Sequence, residues 1–174
     1  FFGVAVLSVG LKHALRFRGR NLLNPAACGI VLAVVFFQGH TEWKGAYEGL
    51  LLIPAGLYFA YKIKRTVLVA CYFLTALLLF IPQGLAQQTP LTEVLGYFNF
   101  FFMFIMMIEP KTTPAPQKLQ ALFGSGIALF IFLLTDRGFR YEPELFALLT
   151  FNAFIPRTIK IPASQNETQK EPAV

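Results

Sequence analysis

Seven apolar blocks follow one another along this chain, over residues 1–11, 26–38, 50–61, 66–81, 94–108, 119–135 and 145–155. In water such a chain would expose large hydrophobic patches and aggregate; lipid is the solvent that suits it. The blocks are continuously apolar and lack the polar–apolar alternation of barrel strands, so they are expected to be helices. Most fall short of the roughly 20 residues that cross a hydrocarbon core, so some spans are expected to be short or discontinuous. The expected fold is an all-α, polytopic transmembrane helix bundle of about six to seven spans.

Charge tests that reading independently. Only 14% of the 174 residues are charged, against about a quarter in soluble domains. The net charge of +6 does not point to nucleic acid, because the basic residues sit in short clusters between apolar blocks. If every block crosses, alternate connections should differ in Lys and Arg. One set holds Lys12, Arg16, Arg18, Arg20, Lys62, Lys64, Arg65, Lys111, Lys118, Arg157, Lys160 and Lys170. The other holds Lys44, Arg137 and Arg140, together with Glu42, Glu48, Glu93, Asp136, Glu142 and Glu144. The basic set is therefore expected in the cytoplasm, with the C-terminus inside and the protein in the plasma (inner) membrane.

Residues 1–160 form the expected membrane domain, and the polar stretch 161–174 is expected to be a disordered cytoplasmic tail. Its Asn166-Glu-Thr168 sequon would then face the cytoplasm and stay unglycosylated. The chain opens on Phe1 inside an apolar run with no basic leader, so it is expected to be part of a larger chain or to have lost an upstream portion. Cys28 and Cys71 both lie in apolar blocks and read as packing residues. Gly29, Gly56, Gly96, Gly124 and Gly126 would let helices approach closely, and Pro54 is expected to kink the third block.

Two segments stand out chemically. In Arg18-Gly-Arg-Asn-Leu-Leu-Asn-Pro-Ala-Ala27, Asn24 suits a helix N-cap and Pro25 the first helical position. Free N–H groups at that helix start, facing Arg16, Arg18 and Arg20, would suit an anion or phosphate; the plainer reading is a capped helix beside ordinary cytoplasmic anchors. The second segment, Ile108-Glu-Pro-Lys-Thr-Thr-Pro-Ala-Pro116, closes the most apolar block, which carries no charge until Glu109. An acid there is costly if embedded and marks a functional candidate. Pro110, Pro114 and Pro116 stop the helix, Lys111 is placed to pair with Glu109, and Thr112 and Thr113 offer hydroxyls to a bound polar group. The plainer reading is a stiff, solvated loop. The stretch 136–144 reads as a charged turn, and Asn152 as a polar amide that glues helices or touches a ligand. No residue pattern points to a catalytic or metal-binding constellation: GxGxxG, P-loop, HExxH and CxxC are all missing, and His13 and His40 lie far apart.

At Asn21-Leu-Leu-Asn-Pro-Ala-Ala27 and Glu109-Pro-Lys-Thr-Thr-Pro114 the chain resembles the FMN-binding membrane-protein family shared by Rnf electron-transport complexes and sodium-pumping NADH:quinone oxidoreductase. The order and spacing agree over about residues 10–160, and Asn152 and Pro156 resemble the Asn and Pro of that family's final span. The resemblance implies a multi-helix protein that binds FMN and passes electrons within a redox-driven ion pump, in company with other subunits or a fused or docked soluble reductase. Family members attach FMN to a Thr in a G-E-T-S-like motif. Residues 36–102 hold no such sequence, so the resemblance implies flavin held non-covalently. Carried over at matched positions, Asn24 and Pro25 map to the helix entry and Glu109, Thr112 and Thr113 to the segment near which that family binds flavin. Arg18, Arg20, Asn21 and Lys111 stand beside them as candidate cofactor-binding residues, Lys111 being a departure from the family that could hold a phosphate or neutralise Glu109. A small-solute channel or transporter, or a membrane anchor for a soluble reductase, are the competing readings.

Overall fold

The computed structural model describes residues 10, 16–17, 20–21, 23–37, 49–110 and 112–158. Apart from Gly10 the first apolar block lies outside them, as do Arg18, Lys111, the 161–174 tail and its sequon, and the side chains of Arg20 and Asn21. The described chain is helical: α1 (Pro25–Phe37), α2 (Gly49–Lys62), α3 (Thr66–Ala86), α4 (Leu91–Gly96), a π-helical turn (Phe102–Met106), α5 (Gln117–Asp136) and α6 (Pro143–Thr158). A two-residue antiparallel ladder precedes α1, where β1 (Arg16–Phe17) meets β2 (Arg20–Asn21). The all-helical expectation therefore holds apart from this short ladder.

Three helices end by the same device. A residue with positive φ follows the last turn, and the next N–H reaches back five residues, which satisfies carbonyls the helix leaves open. Lys64 (φ 58°) ends α2, where the Arg65 N–H bonds the Ala60 carbonyl at 2.7 Å. Gln88 (φ 55°) does this after α3, with Thr89 bonding Gly84 at 2.9 Å, and Gly138 (φ 66°) after α5, with Phe139 bonding Leu134 at 2.9 Å. Pro54 lies inside α2 and the helix continues past it; the carbonyl it leaves unbonded belongs to Leu50, in the first turn.

The central pair is α3 with α5, and it is parallel. Gln120 reaches Lys64, Gly124 lies against the backbone of Leu68 and Tyr72, and Thr75 bonds Ser125 at 3.0 Å. Further along, Phe80 packs on Phe132 with ring centroids 5.4 Å apart, and Gln83 bonds Asp136 at 3.1 Å. Partners thus rise together along both helices. Parallel neighbours need a return segment, and residues 91–108 supply it. That block is broken: α4 ends at Gly96, Asn99 caps the next turn by accepting the Phe102 N–H at 2.9 Å, and the π-helical turn follows. Phe98, Asn99, Phe102, Met103, Phe104, Met106 and Met107 are all buried, so this broken segment forms the centre of the bundle. The expectation of discontinuity is met here. α6 then folds back on α5, with Phe151 against Phe123 and Phe130.

This topology sorts the charges. Connections 63–65 and 109–116 lie at one end, joined by Arg65 and Thr113, and the start of α1 is tied to the same end through Asn24 and Met106. Lys62, Lys64, Arg65 and Lys118 gather there, whereas Glu93, Asp136, Glu142 and Glu144 belong to the far end, with Arg137 and Arg140.

Two helices, α3 (21 residues) and α5 (20 residues), are long and apolar enough to cross a membrane. α1, α2 and α6 are shorter, at 13, 14 and 16 residues. α3 is apolar on its outside as well as its inside: Leu68, Val69, Tyr72, Ala76 and Phe80 are buried, while Leu74, Leu78 and Leu85 are exposed. A helix apolar all round suits lipid or a large core, not a water-facing surface.

Candidate functional site

The two segments singled out in the sequence meet at the basic end of the bundle. Asn24 joins them. Its Oδ1 accepts the N–H groups of Ala26 (3.0 Å) and Ala27 (3.1 Å), and its Nδ2 donates to the Met106 carbonyl at 3.5 Å. One side chain therefore caps α1 and ties it to the residues just before Glu109.

That cap alters the anion reading of this helix start. Pro25 has no N–H, Ala26 and Ala27 are taken by Asn24 Oδ1, and Cys28 bonds the Asn24 carbonyl at 3.0 Å. The first turn of α1 offers an anion no free donor, so the plainer capped-helix reading describes it. Arg16, Arg20 and Asn21 lie in the short ladder.

Thr112 and Thr113 also behave differently from the expectation. Both are buried, and both hydroxyls donate to the Glu109 carbonyl, at 3.4 and 2.8 Å; their N–H groups bond the same carbonyl at 3.3 and 3.2 Å. The hydroxyls close the end of the broken segment, a common use of Thr near open carbonyls. Glu109 is half-buried.

Two residues absent from the sequence reading of the site complete it. Arg65 is buried, and its Nε donates to Thr113 Oγ1 at 3.1 Å while Nη2 donates to the Thr113 carbonyl at 3.3 Å. Thr113 Oγ1 is thus an acceptor for Arg65 and a donor to Glu109, which fixes its hydroxyl in one orientation. Gln120 is buried in the first turn of α5, and its Nε2 donates to the Lys64 carbonyl at 3.0 Å and the Ala115 carbonyl at 2.8 Å. It pins the left-handed Lys64, a conformation that costs a non-glycine residue about 1 kcal/mol. Gln120 Oε1 is buried and has no partner among the described residues. Burial lowers the Arg65 pKa from its ordinary value, but a guanidinium stays charged throughout the physiological range.

Asn152 stands apart from this end. It is fully buried on the α6 face that carries Leu145 and Leu148, and neither amide atom has a partner among the described residues. Among the described residues it makes no interhelical bond. Cys28 and Cys71 are free, half-buried thiols.

The clasp has a measurable consequence. Asn24→Ala is expected to lower stability by about 1 kcal/mol through the lost cap, while Asn24→Ser, which can still cap, should lose less. Thermal unfolding in detergent checks both, and an Asn24→Ala protein as stable as wild type would contradict the arrangement.

No protein-family profile matches the chain and no curated protein matches it, so the likeness to the electron-transport proteins rests on the order and spelling of the two segments.

Proposed function

We propose that the chain is a multi-pass component of the plasma (inner) membrane that carries electrons through a non-covalently held flavin, in the manner of the Rnf and sodium-pumping NADH:quinone oxidoreductase family it resembles. The observation that carries this reading is the convergence of the Asn24-Pro25 and Glu109–Thr113 segments at one basic end of the bundle. Under the positive-inside rule that end is cytoplasmic, which puts the C-terminus inside and turns the site toward a soluble reductase or other subunits of a complex.

The residues at this end fit a flavin mononucleotide. Among the described residues Arg65 is a buried cation bonded only to neutral groups of Thr113, and Gln120 Oε1 is a buried acceptor without a donor. The FMN phosphate is an anion that also carries a proton for part of the time near neutral pH, the counterparts of both. Arg65 and Gln120 would hold the ligand, and Thr113 would fix the guanidinium. Asn24 and Glu109 would set the wall against which the ligand lies. Bound flavin supplies one- and two-electron redox chemistry; the protein supplies orientation and local charge. Both Thr112 and Thr113 hydroxyls are engaged with the Glu109 carbonyl, in keeping with non-covalent attachment.

Protein purified in mild detergent from its native membranes is expected to show a flavin absorption band that bleaches with reductant. A folded, colourless preparation would sink the proposal. A second reading, a small-solute channel or transporter, draws on the break at 97–99 in the buried central segment, because interrupted spans often line transport sites. Uptake into proteoliposomes without any redox partner would favour it.

A further inference from the structure

We infer that the edge formed by Arg65 and the start of α3 is a phosphate-binding site. The inference deepens the flavin reading but stands on observations that do not need a flavin.

The first observation is an unbalanced buried charge. Arg65 is 6% exposed, and its two bonds go to the neutral hydroxyl and carbonyl of Thr113. Neither bond goes to a carboxylate. Burying a cation without an opposite charge is costly, and an anion at the guanidinium removes that cost. The third nitrogen, Nη1, makes no bond among the described residues, which leaves the guanidinium with donors to spare.

The second observation is where the charge sits. Arg65 is the N-cap residue of α3, and no side chain caps this helix and no acid lies in its first turn. Val69 is the first residue whose N–H reaches a carbonyl, that of Arg65 at 3.2 Å, which leaves the N–H groups of Thr66, Val67 and Leu68 without an acceptor among the described residues. A helix start carries partial positive charge, so a guanidinium there is doubly unfavourable until an anion arrives. The contrast with α1, whose first turn is satisfied by Asn24, is direct.

The third observation is independent of charge. Gln120 holds the Lys64 carbonyl, one residue before Arg65, and the Ala115 carbonyl, two residues after Thr113, while its own Oε1 lacks a donor among the described residues although the residue is only 1% exposed. A simple halide would leave that oxygen unmet. A phosphate monoester carries a proton for part of the time near neutral pH, since its second pKa is about 6, and presents both acceptors and a donor. Exposed Lys62, Lys64 and Lys118 at the same end draw anions toward it.

The phosphate has three sources that one experiment separates. The full chain in neutral detergent is heated with inorganic phosphate, with FMN, and with riboflavin, which lacks the phosphate, against chloride at equal ionic strength. In parallel it is heated in vesicles of phosphatidylcholine with and without phosphatidylglycerol. At least one phosphate-bearing probe is expected to raise the unfolding midpoint in a saturable way, and FMN to do so more than riboflavin if the source is the nucleotide. Arg65→Gln should weaken that binding roughly tenfold or more, and Arg65→Lys should keep part of it. If Arg65→Gln does not fold, Thr113→Val, which removes the hydroxyl that orients the guanidinium, should weaken the same response. No response of the wild type to any phosphate probe, or a response unchanged in these variants, overturns the inference. A phosphate response in a protein that carries no flavin from its membranes keeps this site and removes the electron-transfer reading. Bound flavin whose affinity ignores both its phosphate and Arg65 does the reverse.

Discussion

Gly124→Ala is expected to destabilise the protein by about 3 kcal/mol, at the upper end of what overpacking costs. A Cβ at residue 124 would run into the Leu68 carbonyl oxygen and stand 3.0 Å from the Tyr72 backbone nitrogen. Both obstacles are backbone atoms of α3, so no rotamer change can clear them. The only relief is to push α3 and α5 apart, which would also strain the Thr75–Ser125 bond and the Phe80–Phe132 contact further along the pair. Gly126→Ala is the control. Its Cβ would meet the Phe151 ring, the far end of a side chain that can swing, so a loss of about 1 kcal/mol or less is expected. Thermal or denaturant unfolding of the two variants in the same detergent measures the difference. Equal stabilities would mean that α3 and α5 are not packed backbone to backbone.

Gly124 also shows what a sequence can carry. A glycine inside an apolar block announces a close approach, and the structure supplies the partner. The charge alternation was legible because it depends only on which connections share an end, and the parallel α3–α5 pair obliges 63–65 and 109–116 to do so. Asn24 as a cap was legible because the cap needs only local geometry. Arg65 was not, since a buried arginine and a solvated cytoplasmic anchor are spelled alike between two apolar blocks. Gln120 was hidden for a related reason: a polar residue in the first turn of a helix usually faces water. From sequence alone Thr112 and Thr113 present hydroxyls for a ligand, because nothing in it discloses that the Glu109 carbonyl lies within reach of both. The same ignorance of tertiary neighbours left the Asn24–Met106 bond, 82 residues apart in sequence, unseen.

Asn152→Leu is expected to stabilise the isolated protein by about 2 kcal/mol, an unusual sign for a fully buried position. Leucine branches at the same atom as asparagine with the same number of side-chain heavy atoms, prefers helix more, and removes two polar atoms that are buried without partners among the described residues. Each such group carries a desolvation cost of about 1–3 kcal/mol, and deleting both at constant shape should recover much of it. The neighbours on that face, Leu145 and Leu148, are apolar and ask nothing of the amide. Asn152→Ala separates shape from polarity: it too removes the amide, but leaves a space that offsets the gain. The two variants are compared with wild type by unfolding midpoint in detergent, first as purified and then after exhaustive delipidation. A higher midpoint for Asn152→Leu in both states means that the amide is an energetic burden in the bundle. A lower midpoint as purified that turns higher after delipidation means that a bound polar group meets the amide in the membrane-derived protein and that leucine expels it. A lower midpoint in both states would contradict the account of an unpartnered side chain, because only an amide bonded within the chain itself loses stability whichever way the protein is prepared.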